Sequence, residues 1–527
     1  MGSGKRTWAA AFAAVLALAG CGGGSDDEAN TEVLQTASGA VRGVAHDGID
    51  AFKGIRYAAP PVGALRWRPP EPAAPWTGVL EARDFGATCA QTNELGGFAA
   101  RSESEDCLFL NVFAPTERST ATKLPVMVWI HGGGLFSGSS NEYDPTRMVK
   151  EGGVVLVSFN YRLNVFGFLS QSALNSEGHP AGNYGFMDQQ LALRWVQENI
   201  AAFGGDPKRV TIFGESAGGS SVLTQLSSSR AEGLFHRAIV QSGSATEVLK
   251  ERPLADSTAA GAQLAKALGC KGTDAACLRS KSVAEIMKKA PALVAGWPFP
   301  TVDGYVLDEP VSAALAAGRF NRVPVINGSN ADEQTWFLGM EELASGKPMD
   351  AETYAMRIAS EFAPHGAEIL AAYPASRYPS PSEAYVASAG DHIAHCPGRR
   401  LNQSMARFTE VYSYEFADRT APASFPDVSF PYGAAHTLEI QYLFDGFAGA
   451  GGTRRSLIAQ QRGLSQRMIG YWTRFATTGE PNGVGLDPWL AYGAAGNPTI
   501  ALKNPTEVVS DDSFRRRHHC DLWDSLQ

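Results

Sequence analysis

The stretch that leaves this chain the fewest possible folds is Val210-Thr211-Ile212-Phe213-Gly214-Glu215-Ser216-Ala217-Gly218-Gly219. Val210 to Phe213 is a short, β-branched apolar run that reads as a buried strand, and the small residues from Ala217 to Leu226 suit the opening of a helix. Between them Gly214-Glu215-Ser216-Ala217-Gly218 forms a G-x-S-x-G pattern in a strand-turn-helix setting. A turn that tight has no space for a Cβ at either glycine, so Ser216 is expected at its apex, above the end of a sheet. The first amides of the following helix point at the same spot, where they would stabilise a developing negative charge. The pattern alone is common in turns; the strand before it and the helix after it make it a nucleophile elbow.

Other segments supply the rest of such a sheet. Leu124 to Ile130 reads as a buried strand and ends in His131-Gly132-Gly133-Gly134. Consecutive glycines after a strand let backbone amides approach a ligand closely, so the amides of Gly133, Gly134 and Ala217 are the expected oxyanion donors. Val154 to Asn160 is a further strand. Tyr184 to Phe203 is a helix, with apolar positions at Leu191, Leu193, Trp195, Val196 and Ile200, stopped by Gly204-Gly205-Asp206-Pro207. Ala238 to Gln241 and Val323 to Ile326 read as later strands. Strand, helix and strand in this order predict an α/β protein with a mostly parallel sheet. The Pro- and Gly-rich region from Gly39 to Gln91, with short runs such as Ala40 to Val44, predicts small antiparallel strands ahead of it.

The N-terminus reads as an address. Lys5 and Arg6 precede an apolar run from Trp8 to Ala19, too short to span a bilayer comfortably and suited to a signal peptide. Leu18-Ala19-Gly20-Cys21 resembles a bacterial lipoprotein cleavage box, which makes residues 1–20 a signal and Cys21 a lipidated first residue; an ordinary secretory signal is the alternative. Residues 21–38 are expected as a flexible tether, Gly-, Ser- and acid-rich at its start. The expected location is therefore outside the cytoplasm, on a membrane through Cys21 alone. A formal net charge of -9, with no long basic block, argues against a nucleic-acid partner.

Of seven cysteines, six remain once Cys21 is set aside. Spacing leaves about 15 connectivities open, and local pairing favours Cys89 with Cys107 and Cys270 with Cys277, leaving Cys396 for Cys520. His392, His395 and Cys396 upstream with His518, His519 and Cys520 downstream are also zinc-ligand types. Oxidised cysteines cannot act as thiolate ligands, however, and the spacing matches no ordinary finger, so no metal is expected.

The motifs Phe52-Lys53-Gly54-Ile55 with Tyr57-Ala58, Glu105-Asp106-Cys107-Leu108-Phe109-Leu110-Asn111, the glycine run after His131, Gly182-Asn183-Tyr184-Gly185, Phe203-Gly204-Gly205-Asp206-Pro207 and the elbow, in this order, closely resemble the type B carboxylesterase and cholinesterase family. The likeness runs from about Gly39 to the C-terminus. It implies the α/β-hydrolase fold: one domain over residues 39–527, a large, mostly parallel sheet with helices on both faces, and a small N-terminal antiparallel sheet. A serine hydrolase of this fold carries its acid and then its histidine after the serine. The residues alone leave seven histidines open after Ser216: His236, His365, His392, His395, His436, His518 and His519. The resemblance selects His436, in Gly433-Ala434-Ala435-His436-Thr437-Leu438-Glu439-Ile440. It also selects Glu333 rather than Asp332 as the acid, in Asn327-Gly328-Ser329-Asn330-Ala331-Asp332-Glu333. Glu215 and Ser242 resemble the family's supporting positions.

The resemblance implies a serine carboxylesterase without metal or cofactor, acting on small-molecule or polymeric esters. Members that bind choline esters carry a tryptophan in the loop between the first two paired cysteines, and here Phe98 is the only aromatic residue from Cys89 to Cys107. A cholinesterase proper is therefore disfavoured. Trp297, Phe299, Trp336 and Phe337 are acyl-pocket candidates. Arg56 stands where the family usually has proline. A hydrolase of polymeric or toxin esters, which a tethered enzyme would suit, and a non-catalytic binding module are the rival readings.

Overall fold

The computed structural model describes residues 29–92, 98–118, 122–180, 182–244, 250–290, 300–449, 453–493 and 496–526. The signal, Cys21, Trp297 and Phe299 lie outside these residues. Twelve strands form one large sheet: β1 (Ala29–Asn30), β2 (Val44–His46), β3 (Ile49–Arg56), β4 (Phe109–Pro115), β5 (Leu124–Ile130), β6 (Val155–Phe159), β7 (Gly205–Glu215), β8 (Arg237–Gln241), β9 (Val325–Asn330), β10 (Val411–Phe416), β11 (Thr499–Leu502) and β12 (Glu507–Val509). Their order across the sheet is β1-β2-β3-β4-β6-β5-β7-β8-β9-β10-β11-β12. Neighbours from β6 to β11 run parallel. The strands before them, and β12, pair antiparallel.

The parallel strands are apolar on both faces because helices cover both. Val126, Val128 and Ile130 of β5 face one core with Val210 and Ile212 of β7, while Met127, Trp129 and Phe213 face the other. The helices that matter for the site are α1 (Tyr184–Asn199), α2 (Ala217–Ser227), α3 (Thr335–Ser345), α4 (Cys396–Met405), α5 (Ala459–Thr478) and α6 (Asp511–Arg517). α1, α2 and α4 contribute Val196, Val222 and Leu401 to the first core; α5 contributes Leu464, Met468 and Trp472 to the second. No helix among the described residues is long and apolar enough to cross a membrane.

The elbow strand is longer than its four-residue apolar signature, since β7 runs from Gly205 to Glu215. The expected run from Ala40 to Val44 is split at Gly43. Ala40–Arg42 joins a small sheet, antiparallel to Leu34–Gln35 and parallel to Val79–Glu81, while β2 belongs to the large sheet. At Gly43 a Cβ would lie 2.3 Å from the carbonyl oxygen of Ala51, so only glycine lets the chain cross there. Residues 29–38, expected as the end of a tether, are drawn into the fold. Ala29 and Asn30 pair with Ala45 and Val44, and Leu34 and Gln35 with Val41 and Ala40. These pairings satisfy backbone groups that a tether would leave to water.

All three expected disulfides are present, Cys89–Cys107, Cys270–Cys277 and Cys396–Cys520, with Cα separations of 4.9, 5.7 and 5.3 Å. The last joins the start of α4 to the C-terminal segment after α6. Arg56 closes β3 with a bidentate pair to Asp106, at 2.5 and 3.0 Å, and its guanidinium lies over the Phe109 ring.

Candidate active site

Register brings the site together. Gly214 pairs with Ile130, Glu215 with Gln241, and Gln241 with Gly328, so β5, β7, β8 and β9 end at one level of the sheet. The glycine turn, Ser216, Ser242 and Glu333 follow those four ends directly. Ser216 itself has φ 57° and ψ -123°, a conformation a non-glycine residue adopts only when its surroundings impose it. They do so here: the Ser216 amide donates to the Gln241 carbonyl at 2.9 Å, and the Ser220 amide donates to the Ser216 carbonyl at 2.9 Å. A Cβ on Gly218 would sit 2.0 Å from the Ile130 carbonyl oxygen, which is why glycine follows the serine at that spacing.

The glycine turn after β5 lies against the elbow, since a Cβ on Gly132 would come within 3.2 Å of the Ser216 Cβ. Gly133, Gly134 and Leu135 take φ of 95°, 63° and 62°, three successive positive values that glycine adopts without strain at the first two. Ala217 is the first residue of α2, so its amide has no carbonyl a turn behind it. His131 supports the turn from beneath. Its ring stacks on Tyr161 at 4.4 Å, its Nδ1 donates to the Gly132 carbonyl at 2.9 Å, and burial lowers its pKa to about 4, so it stays neutral.

His436 and Glu333 meet as the resemblance implies. Nδ1 of His436 lies 2.5 Å from Oε2 of Glu333, whose Oε1 accepts the Asn330 amide at 2.8 Å. Burial would raise the Glu333 pKa, but the His436 imidazole, the Ser242 hydroxyl and the Asn330 amide outweigh it and hold the carboxyl below its usual range. Ser242 does this by proximity, without a hydrogen bond of good geometry. Asp332 is turned away. It pairs with Arg419 through two contacts of 2.9 Å and accepts the Ala434 amide at 2.9 Å, which holds the histidine loop rather than the imidazole.

Glu215 faces the other ring nitrogen, with Oε1 3.3 Å from Nε2 of His436. Burial opposes charge on His436, yet the carboxylates of Glu215 and Glu333 outweigh it and raise its pKa to about 9. Burial, reinforced by Glu439 and Glu333, in turn holds Glu215 well above the usual carboxylate range. The two groups are coupled, so that charge on either one favours the opposite charge on the other.

Three further polar residues, Glu439, Gln241 and Asn330, have no role assigned from the sequence. Glu439, fully buried, accepts from the Asn330 side chain at 2.6 Å and from Gln241 at 3.1 Å; Gln241 accepts from the Trp472 indole at 3.0 Å. The Asn330 side chain also donates to the Ala435 carbonyl at 2.7 Å, which links the acid's strand to the histidine's loop. The available signal was a carboxylate inside the apolar run Leu438-Glu439-Ile440. Trp336 and Phe337 of α3 both lie against the His436 ring, at 6.2 and 5.2 Å, and Phe337 remains 39% exposed. Phe98 reaches the glycine turn, since a Cβ on Gly133 would come within 2.7 Å of its ring.

The residues weighed as zinc ligands have other partners. Cys396 and Cys520 are bonded to each other, His392 packs on Trp523, and His519 on Tyr373. His395 and His518 do meet, on Asp391, with ligand-type atoms within 4.8 Å of one another. Both Nδ1 atoms address the same Asp391 oxygen at hydrogen-bond distances of 2.9 and 2.5 Å.

A family model described as the carboxylesterase family matches residues 30–523. The chain is 33% identical over 502 residues to para-nitrobenzyl esterase of Bacillus subtilis, covering 92% of this chain and 98% of that one. It is 36% identical over 477 residues to an acylcarnitine hydrolase of Mus musculus, covering 84% and 81%, and 35% identical over 481 residues to cocaine esterase of Homo sapiens, covering 85% and 82%. Solved structures of a PNB esterase and a thermophilic PNB esterase, each 30% identical, superpose with TM-scores of 0.77 and 0.78, covering 92% and 93% of this chain and 99% of each of theirs. A match of this extent, on an α/β-hydrolase sheet whose strand ends gather a serine, a histidine and a carboxylate, makes the chain a carboxylic ester hydrolase belonging to the carboxylesterase family.

Proposed function

We propose that the chain hydrolyses carboxylic esters through an acyl-enzyme on Ser216, with His436 as general base and acid and Glu333 as the acid that orients it. The observation that carries this reading is the 2.5 Å contact of His436 Nδ1 with Glu333, while the other ring nitrogen faces Glu215, the residue before the strained Ser216. His436 takes the Ser216 proton as the hydroxyl oxygen attacks the ester carbonyl, and Glu333 stabilises the imidazolium that results. The amides of Gly133, Gly134 and Ala217 receive the oxyanion, each being worth about 3 kcal/mol in comparable sites. His436 then protonates the leaving alcohol, the acyl-enzyme forms, and water repeats the sequence to release the acid. Glu215 sets the proton affinity of His436, and Ser242 supports the charge on Glu333.

The apolar rings of Phe98, Trp336 and Phe337 beside these groups favour esters with an apolar or aromatic portion over strongly hydrophilic ones. Three relatives whose names specify para-nitrobenzyl, cocaine and acylcarnitine substrates are consistent with that class. Rapid-mixing hydrolysis of p-nitrophenyl acetate tests the mechanism. The expected result is a burst of p-nitrophenol close to one equivalent, with a phosphonate ester labelling Ser216. No labelling, or labelling at another residue, contradicts it; labelling at Ser216 without a burst means that acylation limits turnover. Export and a lipid anchor at Cys21 complete the proposal: Cys21→Ser releases the protein from the membrane fraction, and unchanged fractionation removes the anchor.

A further inference from the structure

His395 is a buried histidine with no part in the proposed reaction, yet it is bonded to the residue that holds the catalytic acid. It closes a single π-helical turn, Asp391–His395, in which the Cys396 amide reaches back to the Asp391 carbonyl. Such turns insert a residue into a helix and re-aim side chains, often at functional positions. Here Nδ1 of His395 sits 2.9 Å from Asp391, and Nε2 sits 2.9 Å from the carbonyl oxygen of Asn330. A carbonyl only accepts, so Nε2 carries the proton in this bond.

Asn330 is the last residue of β9, three positions before Glu333. Its amide donates to Glu333, its side chain donates to Glu439 and Ala435, and its carbonyl is taken by His395. The peptide planes on both sides of Asn330 are therefore fixed, one by the catalytic acid and the other by His395. Behind His395 the support is rigid: Asp391 also accepts from Tyr373 at 2.8 Å and pairs with His518, which bridges to Glu415 at 3.0 Å on β10. We propose that His395 is a positioning residue for Glu333, fixing through the Asn330 carbonyl the strand end from which the acid reaches His436. This rests on the reading of Glu333 as the orienting acid.

Two near-isosteric substitutions separate the two bonds of the ring. His395→Gln keeps a donor near the Nε2 position and so the bond to Asn330; His395→Asn keeps one near Nδ1 and so the bond to Asp391 alone. Activity on p-nitrophenyl butyrate is expressed per serine titrated with a phosphonate ester, which removes differences in folded yield. His395→Asn is expected to lose kcat on the order of tenfold with KM within about twofold, because a misplaced acid weakens the transition state rather than substrate binding. His395→Gln is expected to stay within about threefold of the parent. Tyr373→Phe, which loosens the same cluster without touching Asn330, is expected to melt earlier with kcat per titrated serine unchanged. Equal kcat in all four proteins, or equal losses in both His395 variants, overturns the positioning role. A parent that cannot be titrated at Ser216 contradicts the serine mechanism instead, so the two failures are distinct.

Discussion

A buried carboxyl at position 215 faces the His436 nitrogen proposed to receive the serine proton, while Glu333 holds the opposite nitrogen. As the proposed base, His436 acts only when neutral, and its pKa is raised from 6.5 to about 9. The expected outcome is that kcat/KM rises with pH across that interval, with a midpoint above the usual histidine value. Glu215→Gln removes one of the charges that favour the imidazolium, so the midpoint should move to lower pH; an upward or absent shift would show that the two groups are not coupled. Glu333→Gln leaves the shape but offers the ring an uncharged partner, and the expected loss in kcat is on the order of 10³–10⁴-fold. At this scale the sequence is legible wherever a residue lies inside its own motif. Ser216 sits in a run whose strand-turn-helix pattern is readable on its own, whereas His436 and Glu333 were selected by the resemblance of their loops to the family's. Asn330, Glu439 and His395 act through partners brought close only by folding, and of the three only Glu439, a carboxylate in an apolar run, carries a local signal.

The C-terminal element is held to the body by a disulfide and by an ion network, and the two should separate experimentally. Burial disfavours charge on His518, but Asp391 and Glu415 outweigh it and raise its pKa to about 9. In Asp391 and Glu415, burial is outweighed by the same contacts, and both carboxyls fall below their usual range, Glu415 to about 2. The raised histidine contributes stability that is complete below 6.5 and is lost as pH climbs through about 9. The depressed carboxylates contribute stability that is present above 4.5, for Glu415, and is lost as pH falls toward about 2. Denaturant unfolding should accordingly show stability falling between neutral pH and about 9, a slope that His518→Gln reduces, with His436 contributing the remainder. A slope unchanged in the variant would place the titrating group elsewhere. Cys396→Ser with Cys520→Ser opens a bridge between residues 124 apart and should cost about 2–4 kcal/mol of stability at any pH. Pairing of the six cysteines is readable because two pairs are local, and the third bridge implies that the histidines beside Cys396 and Cys520 can converge; Asp391 as the partner His395 and His518 share is not readable, since no spacing marks it.

Across the whole molecule, the central parallel strands were readable because helices bury both faces and leave continuous apolar runs, as in Val126-Met127-Val128-Trp129-Ile130. β10 escaped notice for the opposite reason. Val411-Tyr412-Ser413-Tyr414-Glu415-Phe416 places Ser413 and Glu415 inside the sheet, where Asn402, Thr499 and His518 satisfy them. The N-terminal strands β1 and β2 are too short to carry a period, and their pairing is set by partners farther along the chain. The parallel strands that were legible nevertheless include those whose ends carry the serine, the glycine turn and the acid, which is why the site could be read ahead of its surroundings. The most direct test of the account is a time course of p-nitrophenyl ester hydrolysis, acetate to octanoate, by the chain and its Ser216→Ala variant. The account predicts turnover by the parent and none above background by the variant, whose fold and melting temperature stay those of the parent. Equal rates in both would contradict it.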